Sequence, residues 1–288
     1  MNHGITVSAL RLGMGMMLLL ASSGVLAHGT HSRLLAHVDA ALAKQPENGG
    51  LWYRRAQLDF EHEDLAESLL DLEKTAQFAP GQFPVLWLKG RVLDAAGKYE
   101  EALSALDAFI AGSPNHWGAL ASRARVERRL GRNENAVADF KSALANHPDA
   151  GPDLIQEVAE ALAAHGLTDE SVRVLENGLA RLSRISSLQI KLIEIEMSAA
   201  RYDSALARLN DFQQSAPRPE PWMAKRAGLL AGAGRFAESR AAWQSVISHL
   251  RQLPDGERNS HAMTLLDEQA HEALLILSLT DSAKTLCQ

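Results

Sequence analysis

Four prolines recur at a fixed interval: Pro46, Pro80, Pro114 and Pro148, each 34 residues after the last. A strict period of this length means that one supersecondary unit is repeated, and that each copy buries its apolar face against its neighbours. Glycines keep the same period in another phase, with Gly97, Gly131 and Gly166, then Ala200 and Gly234. The step from Gly131 to Gly166 is one residue longer than the period, and so is the two-period step from Pro148 to Pro217. Two residue types therefore record the same inserted residue.

Within one period the apolar pattern is helical, twice. In PVLWLKGRVLDAAGKYEEALSALDAFIAGSP, residues 84–114, Pro84 suits a first helical turn, where a missing N–H loses nothing. Leu86, Gly90 and Leu93 share one face at i, i+4 and i+7, and Gly97 suits the left-handed residue that ends a helix. Ala102, Leu106 and Phe109 form the same pattern in a second helix, which Pro114 closes. Gly90 and Ala102 are small where two antiparallel helices must come close; a leucine at either would force them apart. Composition agrees: the chain is 46% hydrophobic but only 5% aromatic, rich in Ala and Leu, which lose little on entering a helix.

This unit resembles the tetratricopeptide repeat (TPR) family, a 34-residue helix–turn–helix with large and small apolar residues at set offsets. Leu86, Gly90, Leu93, Ala102, Leu106 and Pro114 match the pattern in one unit. Trp52, Ala56, Leu72 and Pro80 match in the unit before, with Asp59 where an apolar residue is usual and Ser68 for Ala. Leu120, Ala124, Ala136, Phe140, Ala143 and Pro148 follow, with Glu127 at the apolar place, then Ile155, Ala159, Leu162, Ser171, Leu175 and Gly178. Leu192, Ala205, Leu209, Phe212 and Pro217 make a fifth, with Ile193 at the usually small site, and Ala227, Leu230, Ser239, Trp243 and Val246 a sixth. The expected fold is all-α, an α-solenoid of about six helix–turn–helix units over 47–251. A capping helix over 31–45 belongs to the N-terminal segment 28–46. The C-terminal cap, 252–288, carries Met263, Leu266, Ala270, Ala273, Leu274 and Leu277 on one stripe. No linker long enough to divide the array is apparent.

Residues 1–27 read as an export signal. Arg11 precedes the apolar stretch 12–21, and Val25 and Ala27 fit a signal-peptidase site before His28. The apolar core is shorter than the ~20 residues of a membrane span, so cleavage and a periplasmic or secreted protein are expected, with no stable membrane insertion afterwards. Losing Arg11 takes the net charge from −6 to −7, which gives no reason to expect nucleic acid as a partner. No Asn-x-Ser/Thr acceptor occurs, which favours bacterial export.

Catalytic motifs are imitated rather than present. HEALLI, 271–276, opens like a zinc-protease helix but places Leu275 where the second His belongs. GAGRFA, 232–237, imitates a dinucleotide loop but lies between two helices rather than after a strand. Cys287 is the lone cysteine, which excludes an internal disulfide, and the acids Glu61, Glu63 and Asp64 suit a turn and helix start. The chain is therefore expected to be no enzyme and to need no cofactor. The alternative is a metal-handling protein whose new N-terminal His28 chelates with His31.

The resemblance implies that the first helix of each unit lines a concave groove for a partner segment. By phase, its positions are Tyr53, Arg54, Gln57, Trp87, Arg91, Ser122, Arg125, Arg129, Gln156, Glu157, Glu160, Lys191 and Glu194. The first three units are basic and aromatic, which suits a protein or peptide partner bearing acids and apolar side chains; the fourth is acidic. The alternative for the arginines of 123–132 is a solvated helix face. The carboxylate clamp of chaperone-binding members is not matched, since Gln57 and Leu88 stand at its positions.

Overall fold

A computed structural model describes residues 21–183, 185–215 and 218–286, the side chains of 21–31, 214–215 and 280–286 excepted. The described residues contain helices and no strand. They fall into two compact units, one ending at Arg132 and one beginning at Asn133, so the expected array runs across a division. The first holds α1 (Ala21–Leu42), α2 (Gly49–Glu61), α3 (Leu65–Phe78), α4 (Val85–Ala95), α5 (Tyr99–Gly112) and α6 (Trp117–Arg129). The second holds α7 (Asn133–Ala145), α8 (Pro152–Ala164), α9 (Thr168–Leu182), α10 (Ser186–Ser198) and α11 (Tyr202–Ser215). It continues with α12 (Glu220–Gly232), α13 (Phe236–Gln252), α14 (Asp255–Arg258) and α15 (His261–Leu286). Each unit is a stack of helical hairpins, and the fold is an α-solenoid.

The expected signal, 1–27, lies largely outside the described residues: 1–20 entirely and 21–27 in their side chains. The capping helix, expected over 31–45, already runs from Ala21 to Leu42 as α1. The helix-forming Ala and Leu residues carry it through Gly24 and Gly29, each costing about 1 kcal/mol relative to Ala.

One turn recurs at the end of each first helix. Gly97, Gly131, Gly166 and Gly234 have φ between +73° and +80°, and Ala200, which keeps their phase, has φ +56°. Glu63, one period before Gly97, has φ +66° and completes the series. At each, the following N–H reaches five residues back: Asp64 to Asp59 O, Lys98 to Leu93 O, Arg132 to Glu127 O, Leu167 to Leu162 O, Arg201 to Glu196 O and Arg235 to Leu230 O, all 2.8–2.9 Å. This closure ends the first helix by satisfying a carbonyl that the helix leaves free. Pro46, Pro80 and Pro114 lie two to four residues beyond α1, α3 and α5, where no helix can continue.

Packing then passes from one hairpin to the next. Ala56 and Leu72 of α2 and α3 share a buried cluster with Leu88 and Val92 of α4. Leu93, Ala102 and Leu106 of the second hairpin share one with Val126 of α6. In the first unit Val38 and Leu42 of α1 cover Leu58. In the second, Met263, Ala270 and Leu277 of α15 cover Trp243, Val246 and Leu250 of α13. Leu86 departs from the expected core face: it is 41% exposed at the start of α4, one helical turn before Gly90 brings α4 against Leu106.

The departures from the family pattern have physical reasons. Ser68, Ser171 and Ser239 are fully buried, and their hydroxyls donate to the carbonyls of Ala56, Ala159 and Ala227 at 2.7–2.8 Å. Each ties the second helix of its hairpin to the first. Asp59, Glu127 and Glu196 are buried acids at one repeat position, alternating with Leu93, Leu162 and Leu230. Glu196 accepts from Arg208 Nε at 2.9 Å, and Arg208 also reaches Glu176 at 2.6 Å. Asp71, buried on α3, takes Arg55 Nε and Nη2 at 2.6 Å each.

Burial, a hydrogen bond with Asp71 and that neighbour's charge raise the Asp59 pKa to about 7, with Arg55 opposing. An acid whose pKa is raised on folding holds its proton more tightly in the native state. Stability is therefore lost as pH rises from the unfolded value near 4 toward 7, and the loss is complete above 7. Asp59→Asn, which donates to Asp71 at every pH, is expected to be more stable than wild type at pH 8 by roughly 1–3 kcal/mol. The gain should vanish near pH 4. Denaturant melts at the two pH values check it; an equal difference at both would refute the shared proton.

Candidate protein-binding faces

In the first unit, α2, α4 and α6 lie side by side and present their phase-selected residues together. Tyr53 stacks on Phe83 with ring centres 5.0 Å apart, and burial raises its pKa against the pull of Arg91. Trp87 is half-buried, edge-on to His116 at 4.7 Å, and Gly118 leaves room for its ring on α6. His116 Nδ1 accepts the Ala119 N–H at 3.0 Å, capping α6. The Trp87 indole N–H donates to Ser122 Oγ at 3.1 Å, and Ser122 donates to Gly118 O at 2.7 Å. Ser122 is itself buried and holds Trp87 in place.

Arg91, Ser122, Arg125 and Arg129 meet in one cavity of about 210 Å³, with Phe60, Gly90, Asp94, Ala95 and Leu106 completing the lining. Arg129 is paired with Asp94, and Arg91 lies over the Phe60 ring at 4.8 Å and the Trp87 ring at 5.5 Å. Burial and then the charge of Arg125 push the Arg91 pKa down, with Tyr53 and Glu61 opposing. Arg54 is exposed and Gln57 half-buried on α2. Phe60 and Asp94, one period apart, were not among the phase-selected residues; their shared offset was the signal that could have found them.

In the second unit the acidic positions are largely compensated. Lys191 Nζ lies 2.7 Å from Glu160 and 3.2 Å from Glu194, and Lys225 lies 3.9 Å from Glu194. The hydrogen bond to Glu160 raises the Lys191 pKa, burial opposes it, and Glu194 adds to it. Gln156 Nε2 donates to Ser187 Oγ at 3.1 Å, and Glu157 is half-buried on α8. The face is a ladder of alternating charge rather than an acidic patch.

The motif imitations find ordinary places. GAGRFA forms the turn at Gly234, and His271 of HEALLI is exposed on α15 with Nδ1 2.8 Å from Asp267 O. Among the described residues no group of three His, Cys, Asp or Glu can hold a metal ion, and no helix is long and apolar enough to cross a membrane. His28, His31 and Cys287 lie outside the described side chains.

A tetratricopeptide repeat model matches residues 88–151. No curated protein matches the chain in sequence. Among solved structures, a tetratricopeptide repeat protein from Parabacteroides merdae is similar at 16% identity, with 88% of this chain and 97% of that one covered and a TM-score of 0.53. PilW, a widely conserved type IV pilus biogenesis factor, is similar at 16% identity, covering 68% of this chain and 90% of its own, with a TM-score of 0.56. The Naa15/Naa10 complex bound to HypK-THB is similar at 18% identity over 82% of this chain and 35% of that one, with a TM-score of 0.53. At these identities the likeness is one of fold. Residues 88–151 thus match the tetratricopeptide repeat in sequence, and the hairpins on either side share its fold.

Proposed function

We propose that the chain is an exported, periplasmic scaffold that holds a polypeptide partner on the first-helix face of its repeats. The observation that carries this reading is the first-unit face itself. Arg54 and Arg129 are exposed there and Arg91 lines the cavity, beside the half-buried Tyr53 and Trp87, on helices whose opposite sides supply the core. Guanidinium and aromatic groups held in this way are frequent anchors of protein interfaces. The Naa15/Naa10 structure, of the same fold, has a protein bound to it, which supports a partner of that class. Export rests on the signal-like segment 1–27, and the site residues contain no nucleophile and base in register for catalysis.

A pull-down from periplasmic extract tests the reading. Wild type and Arg125→Glu/Arg129→Glu are expected to recover different partners, and the recovered wild type is expected to begin at His28. Absence of the protein from the periplasm would refute export.

A further inference from the structure

On the scaffold reading, the cavity between α2, α4 and α6 should have a definite occupant. We propose that it takes one acidic side chain of the bound polypeptide, with the carboxylate on Arg91 and the flanking apolar atoms against Phe60 and Trp87. Four features carry this.

In the same unit Arg55, Arg123, Arg129 and Arg132 each sit on a carboxylate. Arg91 sits on two rings instead and makes no ion pair among the described residues. Stacking on ring faces uses the plane of a guanidinium and leaves its N–H edge free for the two parallel bonds a carboxylate accepts. The charge of Arg125 works against that of Arg91, and Asp94, the acid in the lining, is already paired with Arg129.

Size selects among anions. About 210 Å³ is smaller than the roughly 300–1,000 Å³ of sites that enclose a small molecule or cofactor, and suits a single side chain. Gly90 and Leu106 line the floor, where a Cβ at Gly90 would stand 2.6 Å from Leu106 Cγ, so the cavity ends on a closely packed apolar base. An acid with a hydrocarbon stem, presented by a neighbouring backbone, fits both ends.

The test uses an array of random dodecapeptides probed with the full chain, followed by titration of one enriched, fluorescently labelled peptide. Wild type is expected to enrich Glu or Asp at one position beside an apolar residue. Arg91→Gln should weaken that peptide about tenfold or more, as should changing its acid to the amide; the two changes together should cost no more than one. Arg91→Lys should recover part of the loss, since it keeps the charge without the planar fork. Lys74→Gln, on the outer face of α3, should change nothing.

Apolar peptides enriched with no acidic position, or acidic ones indifferent to Arg91→Gln, would overturn the pocket and leave the scaffold standing. Displacement of the peptide by millimolar glutarate or inorganic phosphate as readily as by unlabelled peptide would overturn a polypeptide occupant. No enriched peptide at all would overturn both.

Discussion

Arg55→Ala is expected to destabilise the first hairpin by about 3–5 kcal/mol, the cost of leaving a buried charge without its partner. Arg55 spans α2 and α3 through Asp71, whose side chain is 1% exposed, and reaches Asp39 of α1 at 3.2 Å. Its guanidinium also lies 4.5 Å from the centre of the Trp52 ring. Behind Asp71 lies Asp59, so removal of the cation leaves two adjoining carboxyls buried together. They can lower the cost by taking up protons, which makes the loss larger at pH 8 than at pH 5. Hydrogen exchange at the α2 and α3 amides reads this hairpin apart from the rest of the chain. Adding Asp71→Asn to Arg55→Ala should restore part of the loss. A loss under about 1 kcal/mol would show that the pair behaves like an exposed one.

Gly90→Leu is expected to cost about 3 kcal/mol or more, at the upper end of overpacking. The first added carbon would stand 2.6 and 2.9 Å from Leu106 and 3.3 Å from the Ala102 carbonyl, and both residues are fully buried. Three more carbons have nowhere to go without parting α4 from α5, which also displaces Leu106 from the cavity floor. Gly112→Leu, at the open end of α5 with nothing within 4 Å, is the control and should be neutral or slightly stabilising. Thermal melts of the two variants check this; equal midpoints would contradict the close approach.

Both variants probe features whose legibility in the sequence differs. Gly90 was readable, because a small residue at a fixed phase between two apolar stripes has one geometric meaning. The left-handed turns were readable where glycine marked them, and Ala200 followed from its phase. Glu63 escaped because the glycine series begins at Gly97, although the same period leads back to it. Asp59 and Glu127 stood out as breaks in an apolar position, but their alternation with leucine needed Glu196, which sits in the repeat whose register is least regular.

The binding faces were readable as positions and not as chemistry. Phase placed Glu160, Lys191 and Glu194 on first helices, and Lys191 and Glu194 are one turn apart on α10, but the pairs Lys191–Glu160 and Lys225–Glu194 depend on how neighbouring hairpins stack, 31 residues apart in each case. Ser122 looked like a surface hydroxyl because nothing local shows that Trp87 will cover it. The division at Arg132 has no mark in composition either, since the repeat runs through it without a linker.

The scaffold reading stands or falls on whether the first-helix face selects partners. Tagged wild type and Arg125→Glu/Arg129→Glu, matched by circular dichroism melt and compared by quantitative mass spectrometry of periplasmic pull-downs, measure that directly. A small set of proteins enriched by wild type and lost, at least tenfold, from the charge-reversed protein is the expected result. Identical recovery by the two would contradict it.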